Sequence, residues 1–472
     1  MFAVHAAVWL AAAASPPATS CDTAVIGGGW AGVYAAWRLV VDSSSLGPAD
    51  VCLFEARSAV GGRTYTVDVG PLTVDVGAYR FGKNMHLPGD LIDKALNLST
   101  TCYEPDCKPD AEFNQVLYRI VDDQGHNAGY ATPLRVMVKQ LSAAGVRIFY
   151  HHELTGIYDD DTHDGASGPP ANMLHFAGGA VASARAVLLN LPRVVVERLD
   201  PASSLFVRDH TALPFQILRN CTPCSDGKQT KKQIQLGVKV YAMYDDPWWI
   251  TKLGLKEGSF NSVETDPPLV GRYHDGPVRH DASGAIIGPG ALEAVYSYSV
   301  LQPQISWYAP FAADIAADPL TITTDSALLD PLHAKLMAVH AAAFAKVGMN
   351  TSQVPRMSQV VLGIWSDDQL AQLPQPMSAN MHVMAKSPLC PAEPCLQGLT
   401  PPQYNDIVAN PNSKRDIHIA NNDYAWTGFD DVPCCWAEQS LRSVERTLHS
   451  SWSLPKPKWL DEAYYAQVIA NK

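Results

Sequence analysis

Residues 24–32 read AVIGGGWAG, with glycines at Gly27, Gly28, Gly29 and Gly32. The apolar DTAVI ahead of them has the pattern of a short buried strand. Behind them Gly32, Ala35, Ala36, Leu39 and Val40 recur at i, i+3, i+4, i+7 and i+8, one face of an amphipathic helix. Strand, glycine turn and helix in this order make a dinucleotide-binding fingerprint. Gly27 permits the tight turn, Gly29 lets the backbone approach a pyrophosphate, and Gly32 lets the helix pack against the strand. Trp30 and Ala31 open the helix at the same place, where free N–H groups and the dipole favour phosphate. VCLF (51–54) reads as the next parallel strand, and Glu55 at its end is placed to accept hydrogen bonds from ribose hydroxyls. A packing turn without a ligand would leave Glu55 unexplained.

The 472 residues are 47% hydrophobic. Chains beyond roughly 250–300 residues usually divide, so two domains are expected. A net charge of −12 disfavours any role that needs a broad basic face, nucleic-acid binding included. The apolar run Phe2–Ala14 is too short to span a bilayer, which takes about 20 residues. With Ala18, Thr19 and Ser20 before Cys21 it reads as a secretory leader over 1–20, although it lacks Lys and Arg. No later run is long and apolar enough to span a membrane. Ten cysteines include the close pairs Cys102/Cys107, Cys221/Cys224 and Cys390/Cys395, which read as local disulfides in Pro-containing loops. Paired C-x-x-C motifs at zinc-ribbon spacing are missing, and no metal is expected. Sequons at Asn97, Asn220 and Asn350 agree with export.

The segment EARSAVGGRTYT, just after the second strand, resembles the FAD-dependent amine oxidase superfamily, which includes monoamine, polyamine and L-amino acid oxidases. The resemblance implies that Ala56, Arg57, Gly61, Gly62 and Arg63 lie along the diphosphate and flavin, and it selects FAD over NAD. LSAAGVRIFYHHELTGIYDD is similar to the family's middle strands, whose backbone at Leu154 would approach the adenine. VLLNLP (187–192) resembles the strand that closes this return to the flavin domain. IQLGVKVYAMYDDPWW resembles the strand carrying a lysine that holds a water against the flavin, which assigns Lys239 to that role. A lysine among apolar strand residues is costly unless paired or hydrated. IHIANNDYAWTGFDDVPCCWAEQSLRSVERTL resembles the closing flavin motif, with Trp436 flanking the substrate and Ala437 opening a helix toward the ring. Ala437, Leu441, Val444 and Leu448 share one helical face, expected to be core. Where relatives have Ala-Gly-Glu this chain has Ala420, Asn421 and Asn422, so Asn422 is the expected partner of a ribityl hydroxyl. No Gly-Gly-Cys-Tyr segment is present, which implies noncovalent FAD.

VDVGAYRFGKNMHLP resembles the segment that in L-amino acid oxidases lies at the cofactor and clamps the substrate carboxylate, which implies that Gly77, Ala78, Tyr79 and Arg80 approach the flavin with Arg80 as the clamp. A planar guanidinium matches a carboxylate with two parallel donors. WWITKLGLKEGSFNSVETDPPLVGRYHD also resembles those oxidases, and Tyr404 is matched to the tyrosine that shares the carboxylate. The helical insertion of animal L-amino acid oxidases is missing, and His126 is merely nearest in order to their active-site histidine. The resemblance implies an oxidase of L-amino acids giving a 2-oxo acid, ammonia and hydrogen peroxide. A flavin monoamine or polyamine oxidase, a disulfide oxidoreductase using Cys434 and Cys435, and a non-catalytic flavin-binding protein are the alternatives. The expected fold is α/β. It has a doubly wound FAD-binding domain (21–66, 141–236 and 411–472) interleaved with an α+β substrate domain on a mixed sheet (67–140 and 237–410). Residues 158–170 are expected to be a polar hairpin or loop.

Overall fold

The computed structural model describes residues 19–110, 114–159, 171–206, 214, 217–218, 237–264, 266–298, 307–312, 318–365, 399–412, 414–424 and 436–470. Residues 1–18 of the expected leader, the pairs Cys221/Cys224 and Cys390/Cys395, Asn220, Cys434, Cys435 and the 160–170 loop lie outside the described residues.

The first sheet is assembled by three visits of the chain. Its order is β8 (Arg147–Phe149), β2 (Val51–Phe54), β1 (Thr19–Ile26), β11 (Val181–Leu189), β10 (Asn172–Phe176) and β9 (Leu154–Asp159), with β19 (Ile417–Ile419) beside β11. β8, β2, β1, β11 and β19 run parallel, while β10 and β9 add an antiparallel extension. VCLF is buried throughout, as expected of a central parallel strand covered on both faces. On one face lie helix α1 (Trp30–Trp37), α2 (Thr132–Ala144) and α5 (Ala437–Trp452). Leu441, Val444 and Leu448 are fully buried there, as their spacing predicts. Beyond the glycine turn, α1 continues as a wider helical turn to Asp42. Glu445 of α5 accepts Tyr34 Oη at 2.6 Å and Arg38 Nε at 2.7 Å, so the chain's first and last long helices are locked by a buried ion pair. The lock sets where the N-terminus of α5 points.

The second sheet is antiparallel: β13 (Ser259–Ser262), β14 (Leu269–Arg272), β16 (Ile286–Tyr298), β12 (Gly237–Tyr244), β18 (Gln359–Trp365) and β17 (Leu320–Thr323), with β15 (Val278–His280) beside β16. Helix α3 (Ser326–Lys346) covers one face through Leu332, Leu336 and Phe344, which pack with Trp248 and Trp249. Between the sheets lie the hairpin β3 (Thr66–Val69) and β4 (Leu72–Asp75), and a small sheet of β5 (Phe81–Gly82), β6 (Thr100–Cys102) and β7 (Leu117–Ile120). Helix α4 (Pro401–Ala409) packs behind the first sheet. The architecture is the expected α/β one; the first sheet is mixed and the second antiparallel. Cys102 pairs with Cys107 as their proximity predicts. Cys21 pairs with Cys52, a disulfide between β1 and β2 that local pairing rules miss. Thr19 and Ser20, read as the end of a leader, are β1 residues opposite Ala182 and Ser183.

Candidate active site

The glycine turn has the geometry its sequence requires. Gly27 adopts φ +100°, and its N–H donates to Phe54 O at 2.7 Å. A Cβ on Gly32 would strike the Gly27 carbonyl oxygen, so α1 can seat on the turn only without a side chain there. Gly28 N donates to Glu55 Oε2 at 2.6 Å and Arg57 N to Glu55 Oε1 at 2.8 Å. Each oxygen retains a lone pair for a hydroxyl donor. Asn190, at the end of β11, donates to Gly27 O at 3.2 Å, a contact with no sequence signal beyond its place after an apolar strand.

The second glycine pair lies on the first. Gly61 N donates to Gly28 O at 2.8 Å, and Gly62, at φ +57°, comes so near that a Cβ would sit 3.2 Å from Gly29 Cα. Arg57 reaches Gly62 O with Nη2 at 3.0 Å, while its buried Nε and Nη1 make no hydrogen bond among the described residues. Buried donors of this kind normally have a partner. A guanidinium with spare donors beside two stacked glycine turns fits an anionic diphosphate.

From there the backbone leads to the lysine. Ala78 N donates to Arg63 O at 3.0 Å, and Lys239 Nζ donates to Gly77 O at 2.7 Å and to Asp75 O at 3.1 Å. Arg63 also grips the C-terminal motif, bonding Asn422 Oδ1 at 2.7 Å and Asp423 Oδ1 at 2.6 Å. Asp423, which sequence reading passed over for Asn422, is buried and accepts Arg193 N at 3.2 Å as well. It supplies a carboxylate beside the position where an acid is expected.

Lys239 is 2% exposed, inside a tyrosine cluster. Its ammonium lies 3.4 Å from the Tyr79 ring centre and 5.1 Å from that of Tyr296. Tyr103 and the half-buried Trp436, N-cap of α5, pack on the same group. Burial pushes Lys239 down to about 8, and the nearby Glu293, Asp75 and Asp275 only partly oppose it. Asp275 accepts Tyr79 Oη at 3.2 Å. Burial works to raise it, but its hydrogen bond with Glu293 and the charges of His274, Arg80 and Arg272 outweigh burial and hold it ionised. Glu293 is driven well up by burial and then by the charge of Asp275, so the pair's proton rests on Glu293. Glu293 stands mid-strand in apolar ALEAVYSYSV, and the argument that singles out Lys239 applies to it equally.

Arg80 belongs to this cluster, stacked 5.1 Å from the Tyr79 ring and 5.0 Å from that of Tyr103, with Nη1 at 3.2 Å from Asp110. Tyr404 does not. α4 buries it in another core with Leu189, Val196 and Tyr424, where Arg193 is its charged neighbour. Position along the chain carries no information about which side of the first sheet α4 packs on. Leu154 starts β9 and is buried in that same core. His126 lies on a turn, 3.0 Å from His280 O, away from Lys239. Trp30 lies tilted against Tyr130 with ring centres 5.3 Å apart, and Ala31 is buried in α1.

Fold and site together define a dinucleotide-binding α/β protein with a Rossmann-like domain; residues 25–88 match the family described as an NAD(P)-binding Rossmann-like domain. Among solved structures the chain is similar to wild-type putrescine oxidase bound to putrescine, with a TM-score of 0.53 and 14% identity over 93% of this chain and 100% of that one. A triple mutant of putrescine oxidase with redesigned cofactor binding gives 0.52 and 13%, again over 93% and 100%. At such identity the likeness is one of fold. No curated protein matches the chain in sequence. Among the described residues no helix is long and apolar enough to cross a membrane.

Proposed function

We propose that this chain is an FAD-dependent oxidase of amines with oxygen as acceptor. The observation that carries the reading is a series of three hydrogen bonds, Gly61 to Gly28, Ala78 to Arg63 and Lys239 to Gly77, joined by short stretches of chain and ending at the buried Lys239. It joins a dinucleotide turn to a buried aromatic site, and the fold is shared with putrescine oxidase, a protein solved with putrescine bound. The diphosphate would be held by the glycine turns and Arg57, the ribose by Glu55, and the ribityl chain near Asn422 and Asp423. Bound FAD supplies the hydride acceptor and the centre that oxygen reoxidises. The Cys21–Cys52 and Cys102–Cys107 disulfides fit an oxidising compartment and support secretion, and noncovalent FAD is proposed from the missing Gly-Gly-Cys-Tyr segment.

The protein's own part is to bind and orient. Tyr79, Tyr296 and Trp436 form walls that exclude water and favour the neutral amine over its ammonium form. Lys239 holds a mobile positive charge where negative charge develops on oxygen. Arg80 would have to leave Asp110 to clamp a carboxylate, so the local charge balance favours amines over L-amino acids. The test is peroxide release with putrescine, spermine and benzylamine against L-leucine and L-phenylalanine, after checking for the visible flavin band. Peroxide from amines is expected. Turnover of L-amino acids alone would overturn the amine reading, and a colourless, folded protein that takes up no FAD would overturn both.

A further inference from the structure

Two cavities meet behind the tyrosine cluster. The outer one, about 170 Å³, is lined by Pro71, Thr73, Asp122, His126, Val278 and Arg279, and opens at the exposed Asp122 and Pro71. The inner one, about 10 Å³, is lined by Asp75, Tyr79, Tyr103, Arg119 and Asp275. Asn127 and Pro277 line both, forming the wall between them. The inner void has room for about one water. Tyr103 Oη is buried beside it without a hydrogen-bond partner among the described residues, an orphan that a water would satisfy. Asn127 spans the neck, its Nδ2 donating to Thr73 O at 2.9 Å and to Asp75 Oδ2 at 3.2 Å. Tyr79 closes the inner end, with its hydroxyl on Asp275 and its ring under Lys239.

We infer that this passage is a water-mediated proton exit from the Lys239 site, gated by Asn127. The inference rests on the amine oxidase reading. An amine arrives as R–CH2–NH3+ but is oxidised as R–CH2–NH2. One N–H bond breaks, the electron pair stays on nitrogen, and the proton passes to water in the void. The ionised Asp275 stabilises it there. It then leaves past Asn127 to the water of the outer cavity, where the half-buried His126 lies beside the exposed Asp122. The polar walls suit a proton and water, and the inner void of about 10 Å³ has no room for a carbon chain.

Two measurements on the intact protein test this. A high-resolution crystal structure without substrate should show an ordered water bonded to Tyr103 Oη; a dry void overturns the inference whatever the enzyme's activity. Single turnover of the holoenzyme with putrescine, in weak buffer with an indicator dye and without oxygen, should release a proton in step with flavin bleaching. In Asn127→Leu, proton release should slow at least tenfold and carry a larger solvent deuterium isotope effect, with the flavin still bound. Release at the parent rate in that variant overturns the inference. If no amine bleaches the parent flavin, the amine oxidase reading fails separately, and the crystal water alone decides whether the passage is wet.

Discussion

Lys239 stands 3.4 Å above the ring of Tyr79 and donates to Gly77 O at 2.7 Å, so the lysine is held by a ring face and two carbonyls (Gly77 and Asp75) instead of by an ion pair. Cation–π contact adds about 2 kcal/mol when desolvated. Even so, burial leaves the ammonium easy to deprotonate, at about 8.

That shift has a thermodynamic sign. An unfolded lysine titrates near 10.5, so between about pH 8 and 10.5 the unfolded chain binds more protons than the folded one. Stability from this group therefore rises with pH across that window, by about 3 kcal/mol in all. Lys239→Met removes the contribution. Thermal melts of parent and variant should diverge as pH rises from 8 to 10, and parallel profiles would contradict the buried lysine.

Gly32→Ala should abolish cofactor binding. Its methyl meets the Gly27 carbonyl oxygen, which is fixed backbone, so α1 must lift from the turn. A loss of about 3 kcal/mol is expected for overpacking of this kind. The visible flavin band and the melting temperature should fall together.

Asp110→Asn leaves Arg80 buried with less compensation, at a cost of about 3 kcal/mol. It also raises the positive charge available to a carboxylate. The ratio of peroxide formed from L-leucine to that from putrescine should rise several-fold, read from kcat/KM. An unchanged ratio would remove Arg80 from substrate selection.

The Cys21–Cys52 bond closes a stretch with a sequence separation of 31. Replacing both cysteines with alanine should destabilise the protein by about 3–4 kcal/mol through the freed unfolded chain. Denaturant titration should show the midpoint falling. Loss of flavin before global unfolding is expected as well, because β1 leads directly into the glycine turn.

What could be read from the residues alone was local. The glycine spacing specifies strand, turn and helix, since only glycine tolerates φ +100° at Gly27 and the contact at Gly32. The buried face of α5 follows from helical period, whereas α1 is buried all round and gives way to a wider turn before Leu39 and Val40; Lys239 is conspicuous because charge in an apolar strand is expensive. Cys102 and Cys107 are near neighbours in the chain, so their pairing is visible too.

Long-range pairing was not. Cys21 with Cys52, Arg63 with Asp423, Arg80 with Asp110 and Asp275 with Tyr79 join segments brought together by packing, and no residue spacing encodes them. The resemblance to L-amino acid oxidases assigns Tyr404 to the site of Arg80, yet α4 carries it to a different core. Sequence by itself determined the dinucleotide turn and the buried lysine, because both are consequences of backbone sterics and desolvation at single positions. Only the tertiary structure decided which charges neutralise Arg80 and which face Lys239, because electrostatic energy depends on distances through space that the order of residues does not fix.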